Sequence, residues 1–131
     1  MWRPVEGSFK QKSLRRLHDI LSSYFDEKRI MIFKNDANQI QGIPDQMIIV
    51  EPFHAYLEYK RSAHENHRPN QDYYVELKNK CGCYAAFIYP ENEQQIFKKI
   101  LNYFLTKEKQ QNECTAEKID TSVERPSWVW R

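Results

Sequence analysis

The chain has 131 residues, of which 40% are hydrophobic and 29% are charged, and its formal net charge at pH 7 is +2. This length and composition are typical of one globular domain with a packed core, and no apolar run approaches the ~20 residues that a membrane helix needs. A net charge of +2 is too small to predict nucleic-acid binding by itself.

The first half of the chain predicts one helix and three strands. Apolar residues recur at helical spacing from Leu14 to Phe25, which predicts an amphipathic helix over Phe9 to Asp26. The other face of this helix carries four cations, Lys10, Lys12, Arg15 and Arg16, which are candidates for holding nucleic-acid phosphates, with solvated surface charge as the alternative. Residues that favour extended backbone then predict strands at Ile30 to Phe33, Gln46 to Val50 and His54 to Lys60. The second of these strands is almost wholly apolar, which predicts burial on both of its faces.

The second half predicts a helix, a strand and a last helix. The stripe of the second helix consists of Tyr73, Tyr74, Leu77 and Cys81. A fourth strand follows at Cys83 to Tyr89, and apolar spacing from Ile96 to Leu105 predicts the last helix. The strands on either side of the second helix are expected to be parallel neighbours joined by a right-handed crossover. We therefore expect an α/β sandwich with a mixed central sheet over residues 1–106.

Residues 107–131 are predicted to form a polar C-terminal tail, because few apolar residues follow Lys107. Trp128 and Trp130 interrupt that pattern near the end. They would dock on the domain, on Trp2, on a second subunit or on another protein partner, and a tail that is disordered in solution is an equal alternative.

The three cysteines predict free thiols in a reducing compartment, because the N-terminal residues lack the apolar core of a signal peptide. We therefore expect a location inside a cell.

The most informative motif joins the second and third strands. Asp45 follows Gly42, Ile43 and Pro44 at the start of the second strand, and Glu58 and Lys60 lie two residues apart on the third. Side chains alternate across a strand, so Glu58 and Lys60 point to the same face. Two carboxylates and an amine that converge on one face predict a site for a divalent cation that activates water.

These residues, together with Pro69-Asn70-Gln71 at the second helix and Gly82 before the last strand, resemble the PD-(D/E)xK nuclease superfamily and within it the VRR-NUC type. The resemblance covers roughly Leu14 to Asn92 and implies a restriction-endonuclease-like sandwich of the order α-β-β-β-α-β-α. It also implies Mg²⁺ or Mn²⁺ held by Asp45, Glu58 and the carbonyl of Tyr59, with Lys60 and Gln71 as the remaining catalytic residues.

The function implied by the resemblance is an endonuclease that acts on DNA. Stand-alone domains of this type are similar to phage-encoded enzymes that cut branched or structured DNA, which implies a bacterial or phage-infected cell. One small domain presents one cutting centre, so cuts on two opposing strands would need a homodimer.

One feature departs from the family pattern. Related nucleases carry an acidic residue on the first helix, whereas the corresponding stretch here, Gln11-Lys12-Ser13-Leu14, has no carboxylate. Gln11 or Ser13 would take that place and bind a metal weakly or through water. The absence lowers the expected activity and argues against a second metal ion.

Simpler interpretations exist for each motif residue. Asp45 would then be a turn residue, Glu58 and Lys60 an exposed ion pair, and Gln71 a surface residue. The chain as a whole would then be a module that binds nucleic acid or protein without cleavage, or one that docks a partner through its Trp128 and Trp130 segment.

A cationic cluster follows the third strand and consists of Arg61, His64, His67 and Arg68. These residues are candidates for holding the phosphates of a nucleic acid, with solvated surface charge as the alternative. His64 and His67 together with Cys81 and Cys83 offer a less favoured zinc site, because the cysteine spacing is short.

Overall fold

The computed structural model describes residues 8–35 and 41–120, except for the side chains of 115–120. The helices are α1 (Phe9–Ser22), α2 (Gln71–Lys80) and α3 (Glu93–Asp120), and the strands are β1 (Ile30–Lys34), β2 (Gln46–Val50), β3 (Phe53–Tyr59) and β4 (Tyr84–Ile88). Short 3-10 turns precede β1 and α3. The predicted order of helices and strands is confirmed, and the fold is α/β.

The four strands form one mixed sheet in the order β1-β2-β3-β4. β1, β2 and β3 are antiparallel neighbours, whereas β3 and β4 are parallel and are connected through α2. The parallel pairing of the strands around the second helix is therefore confirmed. Ile48, Ile49 and Val50 of β2 are all buried, which also confirms the prediction that both faces of this strand are covered.

The main core lies between one face of the sheet and the two helices α1 and α3. Alternation along β2 and β3 directs Ile48, Val50, Ala55 and Leu57 to this face. The helices contribute the buried residues Leu14, Leu17, Leu21, Ile96, Phe97, Ile100 and Phe104. Each large aliphatic or aromatic side chain buried in this way contributes about 1.5–3 kcal/mol. The core therefore holds α1 in place and with it the position of the α1 N-terminus.

The opposite face of the sheet is partly covered by α2. The Lys78 ammonium lies 4.6 Å from the centre of the Tyr56 ring, and the Asn79 amide bonds the backbone N–H and C=O of Ala85 in β4. The predicted apolar stripe of this helix is wrong in part, because Tyr73 and Cys81 are exposed. The only fully buried residue of α2 is the polar Gln71 at its first position, while Tyr74, Val75 and Leu77 are half-buried.

Two helix ends differ from the sequence analysis. The first helix ends at Ser22 rather than at Asp26, whose side chain instead accepts a hydrogen bond from the Lys28 N–H in the 3-10 turn. The last helix was expected to end before residue 107 and continues to Asp120. Its added turns are rich in Lys, Glu and Gln, which are strong helix formers, and Glu108 pairs with Arg29 at 2.7 Å.

Within residues 8–35 and 41–120, no helix is long and apolar enough to cross a bilayer. Trp2, Trp128 and Trp130 lie outside the described residues, so the predictions made for them stay predictions.

Candidate functional site

Five chain segments meet at one end of the sheet and surround an open cavity of about 1250 Å³. They are the end of β1, the start of β2 with the residues just before it, the end of β3, the loop that leads into α2, and the first turn of α1. The side chains that line the cavity include Lys10, Asp45, Glu58, Lys60, Arg68 and Gln71. The antiparallel pairing explains part of this arrangement, because the start of β2 and the end of β3 lie side by side.

The two carboxylates lie opposite one another on neighbouring strands. Gln46 pairs with Leu57, so the next pair along the same register is Asp45 and Glu58. The Asp45 N–H donates to Glu58 Oε1 at 3.2 Å, and the Tyr59 N–H donates to Asp45 Oδ1 at 3.3 Å. Like charges directly opposite on antiparallel strands destabilise a sheet. The pair is therefore costly to the fold, as is common for residues that serve a function.

Burial and charge perturb Glu58 strongly. Burial, followed by the negative charge of Asp45, raises the pKa of Glu58 to about 7, although Lys60, the Asp45 N–H and Lys10 act in the opposite direction. Glu58 is only 7% exposed. A carboxyl group in this environment favours either a proton or a cation near it at neutral pH.

Lys60 is buried beside this pair and is held by α2 and its preceding loop. Its ammonium donates to Gln71 Oε1 at 2.7 Å and to the Asn66 carbonyl at 3.2 Å. The Arg68 N–H also donates to Gln71 Oε1, at 2.7 Å. The oxygen of Gln71 therefore positions Lys60.

Lys10 reaches the site from α1 and pairs with Asp45, a contact that the sequence did not predict. Its ammonium lies 2.5 Å from Asp45 Oδ2, and it is the residue of α1 that lines the cavity. The sequence placed Lys10 among the cations of the outer helix face. No local signal shows its contact with Asp45, because the contact depends on where the N-terminus of α1 meets the end of the sheet.

The structure corrects the expectation for Gln11 and Ser13. The buried Ser13 hydroxyl bonds the Tyr59 hydroxyl at 2.8 Å, on the opposite face of β3 from Glu58. Gln11 does not line the cavity, and its buried Oε1 has no hydrogen-bond partner among the described residues. Neither residue replaces the acid that is missing from the first helix. A cation, Lys10, reaches the site instead.

The donor set suits a divalent cation that prefers oxygen. Asp45 and Glu58 supply carboxylates. The N–H and the carbonyl of a strand residue point to the same side of the strand. Because the Tyr59 N–H donates to Asp45, the Tyr59 carbonyl also faces Asp45. Among the described residues no group of three or more His, Cys, Asp or Glu side chains gathers in one place. Mg²⁺ is commonly held by one or two carboxylates together with water and substrate phosphate, so two carboxylates fit it.

Three of the four phosphate-binding residues predicted after β3 line the cavity. Arg61, His64 and Arg68 line the cavity, and Arg61 pairs with Glu65 at 2.9 Å. His67 does not line it. The His67 ring stacks on Phe87 at 4.0 Å and its Nδ1 lies 2.8 Å from Asp72 Oδ1.

The residues of the alternative zinc site are exposed or have other contacts. Cys81 is exposed, and Cys83 is half-buried. The contacts of His67 with Phe87 and Asp72 account for that ring without a metal.

Gly42 allows two loops of the site to touch. Its φ is +90°, and a Cβ at this position would lie 2.6 Å from the Asn70 carbonyl carbon and 2.7 Å from the Pro69 carbonyl oxygen. Gly82 has a similar φ of +85°, but the nearest atom to its Cβ would be Lys107 Nζ at 3.8 Å. The close approach at Gly42 places the Asp45 loop against the residue that precedes Gln71.

Gly42→Ala is therefore expected to destabilise the fold by about 1 kcal/mol or more beyond the cost of Gly82→Ala. Both substitutions carry the strain of a positive φ, but only Gly42→Ala adds a clash with backbone. Urea unfolding of the two variants and the wild type measures the difference. Equal stability of the two variants would contradict the close approach.

A scan against protein-family models finds no match to this chain, and a search of curated proteins finds none either. The resemblance to VRR-NUC nucleases thus stays a prediction. What supports a function for this site is the arrangement of its side chains.

Proposed function

We propose that the protein is a Mg²⁺- or Mn²⁺-dependent endonuclease of the PD-(D/E)xK, VRR-NUC type that hydrolyses phosphodiester bonds in branched or structured DNA. The observation that carries this proposal is the opposed pair Asp45 and Glu58, next to a buried lysine, in one open cavity. An ordinary ion-pair network does not require two carboxylates to face each other across a strand pair.

Asp45, Glu58 and the Tyr59 carbonyl would hold the cation. When bound, it offsets the negative charge of the attacked phosphate and lowers the pKa of water. The Lys60 ammonium, positioned by Gln71 and Asn66, donates a hydrogen bond to the attacking water or to a phosphate oxygen. Arg61, His64 and Arg68 at the cavity hold the neighbouring phosphates.

Lys60→Met tests the role of the amine directly. The substitution keeps the buried aliphatic volume, and Gln71 Oε1 retains the Arg68 N–H as a donor, so the fold is expected to persist. Supercoiled, single-stranded and branched DNA are incubated with Mn²⁺, Mg²⁺ or EDTA. We expect cleavage by the wild type with metal only, and about a hundredfold less by Lys60→Met.

The matched control is Lys98→Met, an exposed lysine on α3 away from the cavity. Unchanged cleavage by Lys60→Met would contradict the assignment. So would absence of cleavage by the wild type with either metal.

The homodimer belongs to the same proposal, since two opposed strands need two cutting centres. Light scattering after gel filtration at micromolar concentration is expected to show twice the chain mass of 15.9 kDa. A single species of the chain mass would contradict it.

A second candidate function is a module that binds nucleic acid or protein without cleavage. The observation that favours it is the ion pair of Lys10 with Asp45, which neutralises one carboxylate without any metal. In this alternative the cavity serves only as a binding surface.

Lys10→Met distinguishes the two functions. If the carboxylates are a metal site, removal of the competing ammonium is expected to tighten Mn²⁺ binding by about two- to fivefold, since a partly exposed ion pair contributes up to ~1 kcal/mol. Calorimetric titration with Mn²⁺ measures this, and Lys12→Met, exposed on the same helix, is the control. No Mn²⁺ binding by either Lys10→Met or the wild type would favour the binding module.

A further inference from the structure

A second groove runs between α1 and β1 and adjoins the cavity of the candidate site. Its volume is about 690 Å³, and Lys10 and Lys34 line both the groove and the cavity. A ligand that extends beyond the cavity on this side therefore enters the groove. The predicted phosphate-binding residues Arg61, His64 and Arg68 do not line the groove.

The groove is lined by basic, apolar and amide side chains. The residues with basic side chains that line it are Lys10, Arg15, His18 and Lys34. No acidic residue among the described parts of the chain lines it. The remaining lining residues are two glutamines and three apolar residues, of which Ile32 is half-buried and Leu14 and Ile30 are core residues only 5% and 7% exposed. This lining suits a ligand that is anionic along its length and carries some apolar surface.

We infer that this groove binds a single-stranded segment of nucleic acid that continues from the phosphate in the cavity. The phosphates of such a segment pair with the cations, and its unstacked bases lie against the exposed apolar part of the lining. A duplex fits less well, because the flat faces of its bases stay stacked inside the helix and cannot reach that lining. The inference rests on the proposed function in one respect, since it takes the cavity ligand to be a nucleic acid.

This site also narrows the substrate of the proposed enzyme. Branched DNA carries single-stranded arms or junction strands that leave the duplex, and the groove would accept one of them next to the cleaved bond. The substrate class inferred is therefore DNA with a single-stranded segment adjoining the cut.

Arg15→Glu tests the inference, with Lys12→Glu as a matched control. Both side chains are exposed on α1 and both substitutions change the net charge equally, but only Arg15 lines the groove. Fluorescence anisotropy with labelled oligothymidylates of 3 and 12 nucleotides in EDTA measures binding without cleavage. Arg15→Glu is expected to weaken 12-mer binding about tenfold and to lower the log–log salt slope by about 0.7 or more. Lys12→Glu changes 12-mer binding less than about twofold, and the 3-mer is affected equally by both.

Equal weakening of the 12-mer by the two variants would overturn the inference, as would absence of 12-mer binding by the wild type. If a 12-base-pair duplex bound as tightly, with the same dependence on Arg15, the ligand of the groove would be duplex DNA rather than a single strand. An oligoglutamate peptide bound in place of DNA would assign the groove to an acidic peptide.

The two proposals fail separately. Binding of the 12-mer that depends on Arg15, in a protein that cleaves nothing with Mn²⁺ or Mg²⁺, supports the groove and contradicts the nuclease. Cleavage with metal, together with no effect of Arg15→Glu on 12-mer binding, would support the nuclease and contradict the groove.

Discussion

Asp45→Asn is expected to reduce Mn²⁺-dependent cleavage by at least about a hundredfold. The amide removes one of the two negative charges that would hold the cation, while it keeps the size of the side chain. It also removes the partner of Lys10, so the Lys10 ammonium is left beside Glu58 alone. Nicking of supercoiled DNA at a fixed Mn²⁺ concentration measures the loss.

The control for this substitution is Asp19→Asn, an exposed acid of α1 that does not line the cavity. Its cleavage rate is expected to equal that of the wild type. A second readout does not depend on activity. Mn²⁺ at about 100 times its dissociation constant stabilises a protein by about 2.7 kcal/mol, and this gain should disappear in Asp45→Asn. Cleavage or Mn²⁺ stabilisation that survives in Asp45→Asn would refute the site.

Glu58→Gln is expected to make the fold more stable at pH 8 by about 1–3 kcal/mol. Glutamine keeps an oxygen that accepts from the Asp45 N–H, but it carries no charge to be buried or repelled. The substitution should abolish cleavage at the same time. A gain in stability with loss of function is the pattern expected of a residue whose charge serves a ligand rather than the fold.

The expected pH dependence of the wild-type stability follows from the direction in which the pKa of Glu58 shifts on folding. The pKa of Glu58 rises from 4.5 to about 7 on folding, so between these values the folded protein keeps a proton that the unfolded chain has released. Stability of the wild type therefore falls as pH rises from about 4.5 to about 7, and the advantage of Glu58→Gln grows over the same range.

Urea unfolding at several pH values between 4.5 and 8 measures this advantage. Glu113→Gln, at an exposed position of α3, is the control and should show no such trend. A Glu58→Gln variant that is less stable than the wild type at pH 8 would mean that the charge of Glu58 contributes to the fold.

Strand periodicity predicted much of the candidate site. Alternation placed Glu58 and Lys60 on one face, and the apolar run of β2 placed Asp45 at the start of a buried strand. Because β2 and β3 are consecutive, their antiparallel pairing was the simplest arrangement, and it brings Asp45 next to Glu58. The convergence of these residues in one cavity therefore has a local cause in the sequence.

The position of Lys10 was not predictable in the same way. Periodicity assigned it to the outer face of α1, but its contact with Asp45 depends on where the helix N-terminus meets the sheet. That placement is set by the packing of Leu14, Leu17 and Leu21 against the core. The second groove, which depends on the same packing between α1 and β1, was hidden for the same reason.

The role of Gln71 and the length of α3 also depended on tertiary contacts. Gln71 opens α2 as expected, yet the direction of its amide is decided by Lys60 and the loop N–H of Arg68. The added turns of α3 have no apolar stripe, so periodicity could not find them, although their helix propensity and the Arg29–Glu108 pair support them.

A crystal soaked in Mn²⁺ and measured for anomalous scattering tests the metal site most directly. We predict an anomalous peak bonded to the carboxylates of Asp45 and Glu58, with the Lys10 ammonium moved away from Asp45 Oδ2. A soaked crystal with no peak at these carboxylates, and with Lys10 still paired to Asp45, would contradict it.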